Sequence, residues 1–305
     1  MCSAELCIGQ STDVGGAGCG DPEGGVGALL ELERLEPLIF RSRAHMGERI
    51  RLYGGEVAAQ AMLAASRTAP PGRALNSLGA YFLLPGDSTV PVTYKVGVAR
   101  DGGAFSTRTV EASQPGGPIL VATASFQKPE RGLGHQVAPA PVRTPETLPS
   151  VEDALADDLL TLGFISEVIG RLEVDVRFLD GSLGAWGENG HIAAQRVWMR
   201  TRHALADSPE IHAAALVYLS DLFMLAASLR PHPHHIADGK VWFATICHSV
   251  VQHAPARADD WLLYEVESDW AGGGRCLTRG RLFDRAGRLC AGTTQEAVLR
   301  VAEPG

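Results

Sequence analysis

The chain has 305 residues, 45% of them hydrophobic and 20% charged, a globular composition with room for one large domain or two of ordinary size. With 27 Lys and Arg against 35 Asp and Glu the net charge is −8, and no basic run offers itself to phosphates, which argues against a nucleic-acid partner. No uninterrupted apolar run of about 20 residues and no basic-then-apolar leader appear, so no membrane partner is expected and the expected location is the cytoplasm.

Residues 1–28, ending in GCGDPEGGVG, are too rich in glycine to bury a core and are expected to form a flexible tail. LLELERLEPLIFRSRA then reads as a helical turn passing into a strand. In IRLYGGEVAAQAMLAASRTAPPG, Gly54 and Gly55 precede a run of helix formers that PPG stops, which predicts a helix from about Gly55 to Arg67. Four strand-like runs follow, LNSLGAYFLL, VTYKVGVA, FSTRTVEAS and ILVATASFQ, separated by turns at PGDS, RDGG and QPGG. Residues 29–128 are thus one helix and an antiparallel meander.

Residues 129–170 read as a linker: a Pro-rich stretch without hydrophobic period, then a helix in VEDALADDLLTLGFISEVIG. Residues 171–303 repeat the earlier order. Strands around RLEVDVRFL and IAAQRVWMRTRH lead to one long helix opened by Ser208 and Pro209 and closed by Pro231, then to KVWFATICHSVV, WLLYEVESDW, RCLTRGRLFD and RLCAGTTQEAVLRV. The pentapeptide MLAAS ends both helices, at 62–66 and 224–228. Thr107-Arg108 and Thr278-Arg279 form a second echo at a similar offset, and together the two suggest duplication. An apolar helix of this kind must be enclosed, as it is when an antiparallel sheet wraps around it in the α+β hotdog arrangement.

Within the second helix stands one carboxylate, Asp221, in VYLSDLFML. Burying it costs several kcal/mol unless it is hydrogen-bonded or its pKa rises. It therefore lies on a small exposed edge of the helix, or accepts bonds that lock two elements together, or has a catalytic role. Cys247 beside His248 lacks the geometry of a nucleophile, because neighbours on a strand face opposite ways, and it reads as a buried spectator. The six cysteines form no close pair, PHPHH at 231–235 has no second cluster to complete a metal site, and reduced thiols are expected.

GGEVAAQAMLAA, YFLLPGD, RDGGAFSTRTV, ASFQ, LSD, ATICHS, DWLLYEVES and TTQEAVLR, in that order, resemble the acyl-CoA thioesterase II family from about Leu30 to Val301. The resemblance implies a double hotdog, with two sheets that continue into each other, each around one long helix. It also implies hydrolysis of fatty acyl-CoA to free acid and coenzyme A without metal or organic cofactor, and a homo-oligomer. It places the water-activating residues at Asp221, Thr245 and Gln295, and substrate contacts at Gly54, Gly55 and Tyr81. Arg275, beside the GGGR turn, is the expected contact for the coenzyme A phosphates. The counterparts in the first half are Ala59 and Ser125, which leaves one working site per chain, built mostly from the second half.

The family pattern is broken at Glu56, Asn76, Gly79 and Cys247, and its W-F-H is reduced at Val250-Val251-Gln252-His253. These departures leave open a thioesterase for an unusual acyl group, a non-catalytic acyl-CoA-binding protein, and an enzyme of the same scaffold acting on a carrier-bound or polyketide-like intermediate.

Overall fold

The computed structural model describes residues 25–43, 51–180, 193–232 and 240–301. Most of the expected tail, with Cys2, Cys7 and Cys19, lies outside the described residues, as do His234 and His235 of the PHPHH stretch. The core reaches into the expected tail, because Val26, in the short helix α1 (Val26–Leu29), is buried.

Among the described residues, twelve strands form one antiparallel sheet. The first half contributes β1 (Leu32–Glu36), β2 (Ile39–Ser42), β3 (Ala74–Phe82), β4 (Thr93–Asp101), β5 (Phe105–Gln114) and β6 (Gly117–Gln127). The second contributes β7 (Val174–Phe178), β8 (Ala194–Thr201), β9 (Val241–Gln252), β10 (Leu262–Gly272), β11 (Arg275–Phe283) and β12 (Leu289–Val301). The order β1-β2-β4-β5-β6-β3-β9-β12-β11-β10-β8-β7 reads the same from either end once the halves are matched, and this symmetry is the structural form of the duplication. The halves join where β3 pairs with β9, with Gly79 opposite Ser249 and Tyr81 opposite Cys247.

The second echo is out of step with the fold. Strand residues alternate between faces, and a shift of one exchanges them. Arg108 and Thr278 point into the core, whereas Thr107 and Arg279 point out, so the Thr-Arg pairs do not correspond. Gln295 pairs with Thr278 and Ala124 with Arg108. The inward counterpart of Gln295 is therefore Ala124, not Ser125.

Helix α2 (Gly54–Ser66) runs unbroken through Ala59 and is buried along nearly its whole length. The expected single helix of the second half is instead two, α5 (Pro209–Ser220) and α6 (Met224–Leu229), because Phe223 adopts a left-handed backbone with φ 64°. That conformation costs about 1–2 kcal/mol for a non-glycine residue. Edge-on packing of Phe223 against Phe178, with ring centroids 5.6 Å apart, offsets part of the cost. The stretch Pro209–Leu229, though interrupted by Glu210, His212 and Asp221, is long and apolar enough on average to cross a bilayer, but 78% of its most apolar window is buried inside the protein. Helix α5 packs on α2, and α6 on β10 and β11.

The linker is more ordered than its composition implies. Gln136 bonds the Gly287 carbonyl and the Leu289 N–H, the Trp198 indole donates to the Arg143 carbonyl at 2.9 Å, and Leu148 packs with Trp198, Trp261, Leu263 and Phe283. The segment thus straps the second half's sheet. It ends in α3 (Val151–Ala154), capped by the Ser150 hydroxyl, and α4 (Leu159–Arg171), capped by the Asp158 carboxylate.

Candidate active site

The break between α5 and α6 puts Asp221 at the C-terminal end of α5, where backbone carbonyls need partners. Tyrosine hydroxyls supply them: Tyr53 donates to the Tyr218 carbonyl at 2.9 Å and Tyr264 to the Ser220 carbonyl at 2.7 Å. Burial raises the pKa of both phenols and keeps them neutral donors. The helix end is therefore fixed, and Asp221 with it.

Strand β9 brings in the hydroxyl. Cys247 pairs with Glu296 but Thr245 pairs with Ala297, so Ile246 is an extra residue, a β-bulge. Three residues apart on a regular strand, Thr245 and His248 would face opposite sides. The bulge turns both toward α5. His248 is fully buried, with Nε2 2.8 Å from the Ser220 hydroxyl, while Cys247 faces the other side of the strand and is half-buried rather than buried.

Gln295, on β12 directly across from His248, closes the group. Its Nε2 donates to Asp221 Oδ1 at 2.8 Å and to Thr245 Oγ1 at 2.6 Å. Asp221 also accepts bonds from the Thr245 hydroxyl and from the Gly55 N–H in the first turn of α2. Burial pushes the Asp221 carboxyl above the ordinary carboxylate range, while the field of His248 and these hydrogen bonds pull it back. Gln295 Oε1 is a buried acceptor with no protein donor among the described residues.

These groups lie on the wall of a cavity of about 580 Å³ lined from both halves and from α4. Leu52, Val57, Phe82, Phe164, Val168 and Phe243 give it an apolar surface. Gly54 lies on its wall, so of the expected substrate contacts the glycines are at the site. Tyr81 is not: it is 59% exposed on the outer face of β3, and its neighbour Phe82 faces the cavity instead. Arg275 is not at the cavity either, being ion-paired with Glu296 on the sheet's outer side. The site also uses more of the first half than expected, through α2, Tyr53 and Phe82.

A model of the acyl-CoA thioesterase N-terminal domain matches residues 42–127, and one of the C-terminal domain matches residues 145–299. The chain belongs to the acyl-CoA thioesterase family. Acyl-CoA thioesterase 2 of Haemophilus influenzae is 36% identical to it over 284 residues, 90% of this chain and 96% of the relative. Human acyl-coenzyme A thioesterase 8 is 34% identical over 304 residues, 94% of each chain. The crystal structure of an acyl-CoA thioesterase II from Mycobacterium marinum superposes with a TM-score of 0.74 at 34% identity, covering 92% of this chain and 98% of that one. A hot dog fold protein from Alicyclobacillus acidocaldarius, at 21% identity and a TM-score of 0.70 over 90% of this chain and 98% of that one, shows the same fold. Within this family fold, the double hotdog α+β architecture is what positions Asp221 between the two halves.

Glu56, Asn76, Gly79 and Cys247, where the family pattern breaks, do not line the cavity. Glu56 is buried on α2 beside Gln60, whose Nε2 lies 3.2 Å from Glu56 Oε1. Gly79 borders the outer groove that contains Tyr81. The missed residues are those set by strand parity and helix ends: Phe82, His248, Ser220, Tyr53 and Tyr264. The alternation in YF was the one signal in the text that could have exchanged Tyr81 for Phe82.

Proposed function

We propose that this chain hydrolyses acyl-CoA thioesters to a free carboxylic acid and coenzyme A, with Asp221 as general base and Thr245 and Gln295 orienting the water. The observation that carries this reading is the closed hydrogen-bonded group of Asp221, Thr245 and Gln295 on the wall of an apolar cavity. Asp221 takes a proton from water as its oxygen attacks the thioester carbon. Gln295 Oε1 accepts the other water hydrogen, and the work of the trio is orientation as much as basicity. The oxyanion that forms faces the first turn of α2, where the Gly54 N–H and the positive end of the helix stabilise it. Collapse expels the coenzyme A thiolate, which takes the proton back from Asp221.

A retained trio and departures that leave the cavity lining intact favour turnover over mere binding. Thiol release measured over a panel of acyl-CoA chain lengths tests the reading. The rate should fall on the acid side as Asp221 is protonated, with the limb above the ordinary carboxylate range because burial raises this group. Tight acyl-CoA binding with no thiol release at any pH would instead identify a binding protein.

The sheet ends in β1 and β7, each paired on one side only, and such edges commonly pair with another copy. A homo-oligomer is the reading we favour; a monomeric mass by sedimentation would remove it.

A further inference from the structure

In an acidic chain, three charged side chains are found among the described residues that line the cavity: Asp221, Arg51 and Arg171. Arg51 lies just ahead of α2, and Arg171 is the last residue of α4. Both are exposed, so they sit at the rim, beside the exposed Leu83, Leu84 and Trp242. Neither has an ion-pair partner among the described residues: Glu167, one turn before Arg171 on α4, makes no ion pair with it, and other acids nearby are engaged elsewhere. Asp87, across the backbone bridge from Arg51, accepts bonds from the Thr89 N–H and hydroxyl. Glu173 pairs with Arg202 and His203, and Asp175 with Arg200 and Arg202. Partial burial lowers the pKa of the Arg51 guanidinium, as expected for a cation drawn from water without a counter-charge. Exposed guanidinium groups with no protein counter-charge are free to pair with an anion that a ligand brings.

We propose that Arg51 and Arg171 form an anion subsite at the cavity rim that takes the phosphate end of the thioester substrate. This rests on the activity proposed above and names the part of the substrate recognised outside the acyl group. The cavity's apolar wall suits an acyl chain and holds Asp221 at the reacting carbon. The phosphates of coenzyme A, at the far end of a neutral arm, then emerge at the rim. The planar guanidinium fork matches a phosphate in a way that a lysine would not. Helix α4, in a segment that reads as linker, thereby becomes part of substrate binding.

The test compares acyl-CoA with the acyl-pantetheine thioester of the same chain, which lacks the phosphates. Arg51→Gln and Arg171→Gln should each raise KM for acyl-CoA by about 10-fold, with kcat little changed. They should leave acyl-pantetheine kinetics unaltered, and Arg275→Gln should match the parent on both substrates. Equal losses on both substrates, or none on either, would overturn the subsite. A dicarboxylyl-CoA forms a further arm: a loss confined to it would place a carboxylate of the acyl group, not a phosphate, at these arginines, and would also overturn the proposal. If the parent hydrolyses neither thioester, it is the activity reading that has failed. Calorimetry with coenzyme A itself then decides the subsite: roughly 10-fold weaker binding by the double variant supports it, and equal binding removes it.

Discussion

Asp221→Asn should lower kcat by about 10²–10⁴-fold, the contribution typical of a positioned general base, while raising stability at pH 8. The two effects share one cause. In the native state the carboxyl is buried at the end of α5 and its pKa is raised, so the ionised form is held at a cost. In the unfolded chain the same group ionises near its ordinary value of 3.8. Between that value and the raised one the native state binds more protons than the unfolded state, and stability falls as pH rises through the interval. The penalty is complete above the raised pKa and absent below the ordinary one. Asparagine keeps the shape and never ionises, so its advantage in thermal midpoint should be greatest at pH 8 and shrink as pH falls toward 4. A variant with parental turnover would mean that another group is the base. One that is inactive but no more stable would mean that the Gly55, Gln295 and Thr245 hydrogen bonds fully repay the burial of the charge.

Much of this architecture was legible in the sequence, and the limits of that legibility follow from geometry. MLAAS and the order of elements revealed the duplication, and the buried acid in VYLSDLFML drew attention to Asp221. Strand parity was not legible from short echoes, since Thr-Arg recurs with its faces exchanged and made Ser125 appear to be the counterpart of Gln295. The same one-residue ambiguity set Tyr81 in place of Phe82. The bulge at Ile246 had no mark in the text, yet it alone lets Thr245 and His248 share a face. The helix break was hidden because LSDLFMLAAS reads as continuous helix. What interrupts it is tertiary: the tyrosine hydroxyls that take the carbonyls of α5, and Phe178, which receives Phe223.

Gly55→Ala should lower stability by about 1–3 kcal/mol and shift the acid limb of the pH profile upward. Alanine is the better helix former by about 1 kcal/mol, so propensity alone predicts the opposite sign. Space decides. A Cβ on Gly55 would come within 2.5 Å of the Tyr218 carbonyl oxygen and 2.6 Å of the Tyr53 ring. The carbonyl belongs to the helix α5 backbone and cannot swing away, and Tyr53 is tied to that same oxygen by its hydroxyl. Helices α2 and α5 must therefore separate. The Gly55 N–H then withdraws from Asp221, which loses a hydrogen bond that lowers its pKa, and the base becomes harder to ionise. Gly54→Ala presses instead on side-chain atoms, the Asp221 carboxylate at 2.9 Å and the Phe82 ring at 3.2 Å, and would displace a carboxylate that Gln295 and Thr245 hold in place, so it should disturb turnover more than folding. The control is Gly163→Ala within α4, where a Cβ meets nothing and helix propensity should raise the midpoint. Thermal unfolding of the three variants, read with their pH profiles, separates these outcomes. Parental stability in Gly55→Ala would show that the contact between the two halves is looser than the close approach of α2 to Tyr218 requires.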